Sequence, residues 1–338
     1  MTNTDDENRK TSLKEIAQLA GVSVATVSRV INSNGRFSEE TRKKVLEIVK
    51  RTNYQTNTLA KGLRMKRSNS IGILVPDLTN EFFSKVVQEI EKGLFRLGFS
   101  TIICDTQRDL EMENYYLNTL EAKSIDGLVV ISGTQPFDSG SLSERIPVLC
   151  IDREPKNDDT FFISSEHKTG ALIATQKLID RGYTPVLVSQ QHNSTSRAAR
   201  IQGFKAALEL NNLPVTNNSF FALPHNEDEP YEDSISKFLK KNRGKHLGLF
   251  CLGDYIAALT LKEATNLKIQ VPKDIGIIGF DDNTYAKLLT PALTTVCQNI
   301  DKLAALSVET ITKLIADPKT DIPKNITVPV KLVSRESA

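Results

Sequence analysis

The chain has 338 residues, length enough for two or three compact units, and its 39% hydrophobic and 25% charged content is that of a globular protein. The net charge of +2 conceals an asymmetry: residues 1–67 carry 14 Lys and Arg against 7 Asp and Glu, a net of +7, and the remainder 29 against 34, a net of −5, so a polyanion partner suits the head alone. The polar start MTNTDDENRK lacks the apolar core of a secretory signal, and no run of 18 apolar residues is present to span a membrane. Cys104, Cys150, Cys251 and Cys297 show neither metal-ligand nor disulfide-framework spacing and read as buried free thiols.

Residues 1–11 read as a disordered leader. The first patterned stretch is SLKEIAQLAGVSVATVSRVIN, residues 12–32. Leu13, Ile16, Ala17 and Ala20 recur at helical spacing, and Ser12 with Glu15 three positions on forms a capping box. Gly21 ends that helix because it adopts positive φ without steric cost. Ser23 caps a second helix with Val27, Val30 and Ile31 on its apolar face, which makes a helix-turn-helix. The opposite face shows Val24, Ala25, Thr26, Ser28 and Arg29. Such small side chains can enter a major groove: Val24 and Ala25 suit thymine methyls, Arg29 suits guanine O6 and N7, and Thr26 and Ser28 suit phosphate oxygens. An ordinary αα-hairpin with a short-chained exposed face is the bland alternative.

GVSVATVSRVIN after a capped helix resembles the signature of the LacI/GalR family of bacterial transcription regulators. The similarity continues through SEETRKKVLEIVKRTNYQTNTLAKGLR, SIGILVPDLTNEFF, IDRE, IGFDD and LTTV, and so covers almost the whole chain. Ser38 caps a third helix whose start carries Glu39 and Glu40, with Val45, Ile48 and Val49 facing inward, and Arg36 in the preceding loop is placed for phosphate contact. The resemblance implies a helix-turn-helix domain over 12–56 and a hinge helix over 57–70, in which Leu63 wedges between base steps in the minor groove. Lys61, Arg64, Lys66 and Arg67 would bind phosphates; a merely solvated basic linker is the alternative. Where many relatives carry proline before this hinge, the chain has Gln55 and Thr56. The candidate DNA contacts are Ser12, Ser23, Val24, Ala25, Thr26, Ser28, Arg29, Asn32, Arg36, Ser38, Thr41, Asn57, Ala60, Leu63 and Arg64.

From residue 71, short apolar runs at 71–75, 101–104, 127–131, 148–151, 186–189, 247–251 and 275–280 alternate with helical patterns. One such pattern places Phe83, Val87, Ile90, Leu94 and Leu97 on one face and stops at Gly98. Alternating strands and helices give parallel sheets covered by helices, and this many residues exceed one compact core. The expected fold class is α/β: an all-α helix-turn-helix head and a two-lobed core (71–338) of doubly wound parallel sheets, similar to a periplasmic sugar-binding protein. The three chain crossings that the resemblance implies are placed near 163, 293 and 321. The first lobe is then about 71–163 and 294–320, the second about 164–293 and 321–335.

Ligands bind at the carboxyl ends of parallel strands. The segments there carry the candidate effector residues Asn80, Phe82, Phe83, Asp152, Ser196, Arg200 and Asp281: rings for the apolar face of a sugar, charged groups for its hydroxyls. Asn80, Phe82, Phe83, Arg200 and Asp281 match the family's cleft motifs. Core packing for the two phenylalanines, and a structural ion pair for Arg200 and Asp281, are the alternatives. The chain departs from the family at Gly253–Asp254, where Asn-Asp is frequent, and at Glu166–His167, where Asp-Asn is frequent. It carries no Walker A, G-x-S-x-G, H-E-x-x-H or strand-borne G-x-G-x-x-G motif.

The expectation is a cytoplasmic repressor of carbohydrate genes, nucleoid-associated when bound, with no cofactor and no metal. Its partners would be a pseudo-palindromic double-stranded operator, a sugar-type effector and a second copy of itself in a homodimer. The competing readings are a regulator controlled by a protein partner or corepressor, a transport-type sugar-binding protein, and an enzyme with an appended helix-turn-helix.

Overall fold

The structure is a computed structural model and describes residues 11–31, 34–52, 54, 67–157, 160–191, 193–224 and 228–338. Residues 1–10 of the expected leader, Asn32, and the hinge positions Asn57, Ala60, Leu63 and Arg64 lie outside the described residues. The chain divides into two compact units, residues 1–66 and 67–338.

Among the described residues the first unit shows three helices, α1 (Leu13–Ala20), α2 (Val24–Ile31) and α3 (Glu39–Arg51). The capping box forms as the spacing requires: Glu15 N donates to Ser12 Oγ at 3.2 Å, and Ser12 N donates to a Glu15 carboxylate oxygen at 2.6 Å. Gly21 closes α1 at φ 66°. Ser23 accepts from Thr26 N and Ser38 from Thr41 N, each at 3.1 Å, so all three helices begin on a hydroxyl cap. Ile16, Ala17, Ala20, Val27, Val30, Val45 and Ile48 are buried together and hold the helices against one another.

The second unit carries β1 (Ser70–Val75), α4 (Glu81–Arg96), β2 (Ser100–Asp105), α5 (Leu110–Ala122), β3 (Gly127–Ile131), β4 (Val148–Ile151), β5 (Phe161–Ser165), α6 (His167–Asp180), β6 (Thr184–Ser189), α7 (Thr195–Leu210), β7 (Phe220–Ala222), α8 (Tyr231–Lys241), β8 (Leu247–Cys251), α9 (Asp254–Asn266), β9 (Gly276–Asp281), β10 (Thr294–Cys297), α10 (Ile300–Ala316), β11 (Asn325–Val328) and β12 (Lys331–Val333). They form two six-stranded sheets with the same winding, β2-β1-β3-β4-β5-β11 and β7-β6-β8-β9-β10-β12. Every pairing is parallel except β10 with β12. Helices cover both faces, which is why strands such as β3 and β8 are buried at every position and read as unbroken apolar runs. Three of the four cysteines, Cys104, Cys150 and Cys251, are buried free thiols within these sheets, and Cys297 is half-buried.

The lobe boundaries differ from the expected ones. β10 pairs with β9, so residues 294–297 belong to the second lobe; β11 pairs with β5, so residues 325–328 belong to the first. The chain therefore crosses at Glu166, at Gln298–Asn299 and at Pro329–Val330. The strands β5, β7, β10, β11 and β12 were not among the apolar runs because they are short, three to five residues, and most are interrupted by Thr, Ser, Asn or Lys; Thr294 and Thr295 are nevertheless fully buried. The second lobe also runs beyond 335: Ser337 Oγ donates to Ile277 O at 2.6 Å, and Ile277 N donates to Ser337 O at 2.9 Å. α10 returns to the first lobe and packs on α4, where a β-carbon on Gly93 would stand 2.7 Å from Val308 Cγ2.

Candidate functional site

The outer face of α2 is open. Val24, Ala25 and Arg29 are exposed, Thr26 and Ser28 are half-exposed, and Val27 and Val30 point into the head. Val24 keeps 45% of its surface, an apolar side chain that the head's own core leaves out. The Arg29 side chain lies along Gly35, where a β-carbon would stand 3.3 Å from Arg29 Cδ. Arg36 and Ser38 are exposed nearby in sequence, and Ser12 is exposed at the start of α1. Ser12, Ser23 and Ser38 already accept a helix amide each, and the Ser23 and Ser38 hydroxyls also hydrogen-bond Thr26 and Thr41 Oγ1 at 2.9 and 2.8 Å. These hydroxyls therefore hold the helix starts as well as facing outward.

In the second unit, the carboxyl ends of the strands of both lobes bring a buried polar cluster together. Asp152 follows β4 at φ 52°, Asp281 ends β9 at φ 113°, Arg200 projects from α7, and His167 opens α6. All four are at most 8% exposed. Asp152 Oδ1 accepts from His167 Nε2 at 2.8 Å, from Ser164 Oγ at 2.9 Å and from Ser165 N at 2.9 Å. Arg200 Nε donates to His167 Nδ1 at 3.4 Å, and Arg200 Nη2 reaches Asp281 Oδ1 at 3.5 Å. The guanidinium also lies 3.6 Å above the Phe280 ring. Gln298 Nε2 donates to Asp281 Oδ1 at 2.7 Å. On each aspartate Oδ1 is saturated, while Oδ2 has no hydrogen-bond partner among the described residues. Gln298 Oε1 and Asn283 Oδ1 are buried acceptors likewise left open.

Burial pushes the Asp152 carboxyl up, but the His167 contact and the Ser164 and Ser165 hydrogen bonds outweigh it and hold the group below its usual range. Burial pushes Asp281 up in spite of Arg200 and Gln298. Asp254, fully buried at the start of α9, is pushed up to about 8 by burial and by the charge of Asp281. Burial drives His167 toward its neutral form.

The remaining candidates are distributed unevenly. Asn80 caps α4 by accepting from Phe82 N at 3.0 Å. Phe82 is 4% exposed and packs into the first lobe with Val86 and Ile90, so its ring belongs to the core rather than to the cleft. The helical register explains the difference: the buried stripe of α4 starts at Phe82, one residue before the expected Phe83. Phe83 is half-buried, edge-on to Phe82 at 5.6 Å, with the Arg108 guanidinium 5.9 Å from its ring centre. Ser196 sits in the first turn of α7, its hydroxyl 3.1 Å from that of Ser194. Arg108 and Gln298 were missed as cleft residues, and Asp254 and His167 were noted only within departures from the family pattern. The strand-end rule reaches Arg108 after β2, Asp254 after β8 and Gln298 after β10, the last only once 294–297 is read as a strand. Burial lowers the hold of Arg108 on its proton against Asp77, Tyr231 and Asp105, and Tyr231 belongs to the facing lobe.

Two family models match: one for bacterial regulatory proteins of the lacI family over residues 12–57, and one for a periplasmic binding protein-like domain over residues 175–338. A ribose operon repressor of Halalkalibacterium halodurans is 31% identical over 97% of this chain and 97% of its own length. The chain belongs to the LacI family of bacterial regulatory proteins. The HTH-type transcriptional regulator DegA of Bacillus subtilis is likewise 31% identical, over 97% of this chain and 98% of its own. Among solved structures, a lac repressor dimer bound to operator and an anti-inducer superposes with a TM-score of 0.85, at 24% identity over 97% of this chain and 99% of that one. A LacI family regulator of Enterococcus faecium with bound ribose gives a TM-score of 0.67 at 26% identity, over 79% of this chain and 98% of that one. As a LacI-family member, the protein is a helix-turn-helix transcription regulator whose DNA binding is effector-controlled, and not an enzyme. No described helix is long and apolar enough to cross a membrane.

Proposed function

We propose that this regulator represses genes of carbohydrate use and that its effector is a sugar or sugar derivative bound between the two lobes. The observation that carries the reading is the cluster of Asp152, Arg200 and Asp281. It offers one unengaged oxygen on each carboxylate and unused guanidinium N–H groups beside the Phe280 face, a set suited to the hydroxyls of a polyol. Relatives named as ribose operon repressors and a neighbour with bound ribose support the sugar class. The DNA contacts we assign are the exposed face of α2 with Ser12, Arg36, Ser38 and Thr41, completed by Asn32 and the hinge residues Asn57, Ala60, Leu63 and Arg64. Two copies would place two such faces on a pseudo-palindromic operator, as in the dimer of the lac repressor.

Coupling between the cleft and the DNA has a material route. Asn299 caps α10 by accepting from Lys302 N at 3.0 Å, directly after Gln298 of the cleft, and near the far end of that helix Ile315 O accepts from Arg67 Nη2 at 3.1 Å. Arg67 is where the chain enters the core unit. A lobe movement that shifts Gln298 thus moves the attachment point of the hinge. The experiment is a footprint of the full chain on its operator, titrated with D-ribose and then with a panel of pentoses, hexoses and their phosphates. Relief or enhancement of the footprint by one sugar is expected; a footprint indifferent to every member, with the Arg200→Ala variant behaving as wild type, removes the sugar reading.

A further inference from the structure

We propose that His167 is the positioning residue of the effector cleft: its imidazole ties Asp152 of the first lobe to Arg200 of the second and thereby presents both to one ligand. The proposal rests on the sugar-effector reading for the nature of that ligand, but the link itself is made wholly within the chain. His167 is the first residue of α6, immediately after the Glu166 crossing, and is 3% exposed. An ordinary core histidine would touch one lobe; this one bonds Asp152 on one side and Arg200 on the other.

The chemistry of the partners fixes the tautomer. Arginine has no acceptor, so Nδ1 of His167 receives the Arg200 Nε–H with its lone pair, and the single ring proton resides on Nε2, where it is donated to Asp152 Oδ1. With Oδ1 so occupied, the open atom of Asp152 is Oδ2. With Nε so occupied, Nη2 on Asp281 and Nη1 on the Leu252 carbonyl, Arg200 cannot rotate, and its two remaining N–H groups have one direction each. The groups packed around the ring are Asp152 from the turn after β4, Arg200 from α7 and Phe280 from β9, with Asp281 and Asp254 beyond the guanidinium. A second proton on the ring would confront the Arg200 Nε–H, break that bond and release Arg200 from the first lobe.

The test has a ligand-free arm and a ligand arm, both on the full chain. In the first, nitrogen-15 NMR of the histidine rings, with His167→Gln for assignment, is expected to find one ring locked as the Nε2–H tautomer and neutral well below the ordinary imidazole pKa of about 6.5. A ring carrying its proton on Nδ1, or titrating as free imidazole, overturns the proposal whether or not any sugar binds. In the second, calorimetric titration uses D-ribose and the same sugar panel. His167→Gln keeps a donor near Nε2 for Asp152; His167→Asn keeps an acceptor near Nδ1 for Arg200. Each is expected to weaken sugar binding by about tenfold through lost positioning of Asp152 or Arg200, and, because the lost bond lies within the protein, to lower the melting temperature by a few degrees while the fold is kept. Wild-type affinity in both variants overturns the proposal. A locked tautomer in a chain that no sugar binds overturns the sugar reading and leaves the imidazole link standing.

Discussion

Arg29 stands exposed at the end of a small-residue face, and its truncation would remove the proposed base contact without touching the head's core. Arg29→Ala is expected to cost about 1–3 kcal/mol of operator affinity and to relax preference at one base pair; equal weakening on all sequences in a gel-shift series would reassign Arg29 to phosphate. Gly253 caps α9 with no side chain, in extended backbone at φ −170° that any residue adopts, and a β-carbon there would meet only Asp281 Oδ2 at 3.7 Å. Gly253→Ser is therefore expected to raise stability by roughly a few tenths of a kcal/mol, seen as a small rise in Tm; a fall would mean the space is needed. Asp254 is held protonated up to about 8, whereas the unfolded carboxyl ionises near 4. The folded state binds the extra proton between those values, so this group's stabilisation is full at low pH and is lost as pH rises toward about 8. Asp254→Asn, which reproduces the protonated acid toward Thr295 Oγ1 and Asn283 N, is expected to flatten that part of the pH–Tm curve.

At the scale of elements, the head depends on its caps because its core is small. Among the described residues seven buried side chains hold α1, α2 and α3, and each helix is too short to persist alone. Ser12→Ala removes the hydroxyl that accepts from Glu15 N, keeps the backbone arm from Ser12 N to the Glu15 carboxylate, and is expected to cost the head about 0.5–2 kcal/mol. Hydrogen exchange should accelerate across α1–α3 and leave the sheets unchanged; acceleration confined to α1 would show that the three helices do not open together. The caps, Gly21 and the apolar face of α2 were all legible because each depends on partners within four residues. The start of the α4 stripe was legible only to within one position, since Phe82 and Phe83 are equally apolar and only the direction of the sheet distinguishes them. Sequence pattern also passed over β10, whose two buried threonines carry no apolar signal: Thr295 Oγ1 is satisfied by Asp254, and Thr294 Oγ1 accepts from Arg335 N at 2.9 Å.

For the whole molecule, the two lobes also meet outside the cluster. Glu81 of α4 accepts from Thr284 N at 2.8 Å, and Lys85 Nζ donates to Thr284 Oγ1 at 2.8 Å, so the first lobe grips the second. Elsewhere, Glu154 N donates to Thr195 Oγ1 at 3.1 Å. Burial alone would push the Glu81 carboxyl up, but Lys85 and Thr284 hold it lower, so this grip is present at neutral pH and is lost as pH falls through that lowered value. Thr284→Val removes the acceptor for Lys85 and keeps the amide. A net hydrogen bond of this kind shifts a closed–open equilibrium by a factor of about 2 to 10. Small-angle scattering of the variant should show a wider average lobe separation with an unchanged Tm, and identical profiles would assign closure to the buried cluster instead.

What the sequence by itself determined is whatever depends on near neighbours: the helix-turn-helix, its caps and exposed face, the strand–helix alternation and the two-lobed class, together with Asp281 at the end of a strand and Arg200 in the helix that follows one. The tertiary structure alone decided which lobe receives residues 294–297 and 325–328, that Phe82 turns inward, and that His167 stands between Asp152 and Arg200. Those outcomes join positions far apart in the chain, and a buried polar group is defined by the partner that satisfies it. No local pattern encodes that partner, because its identity is set only when two separately wound sheets bring their strand ends together.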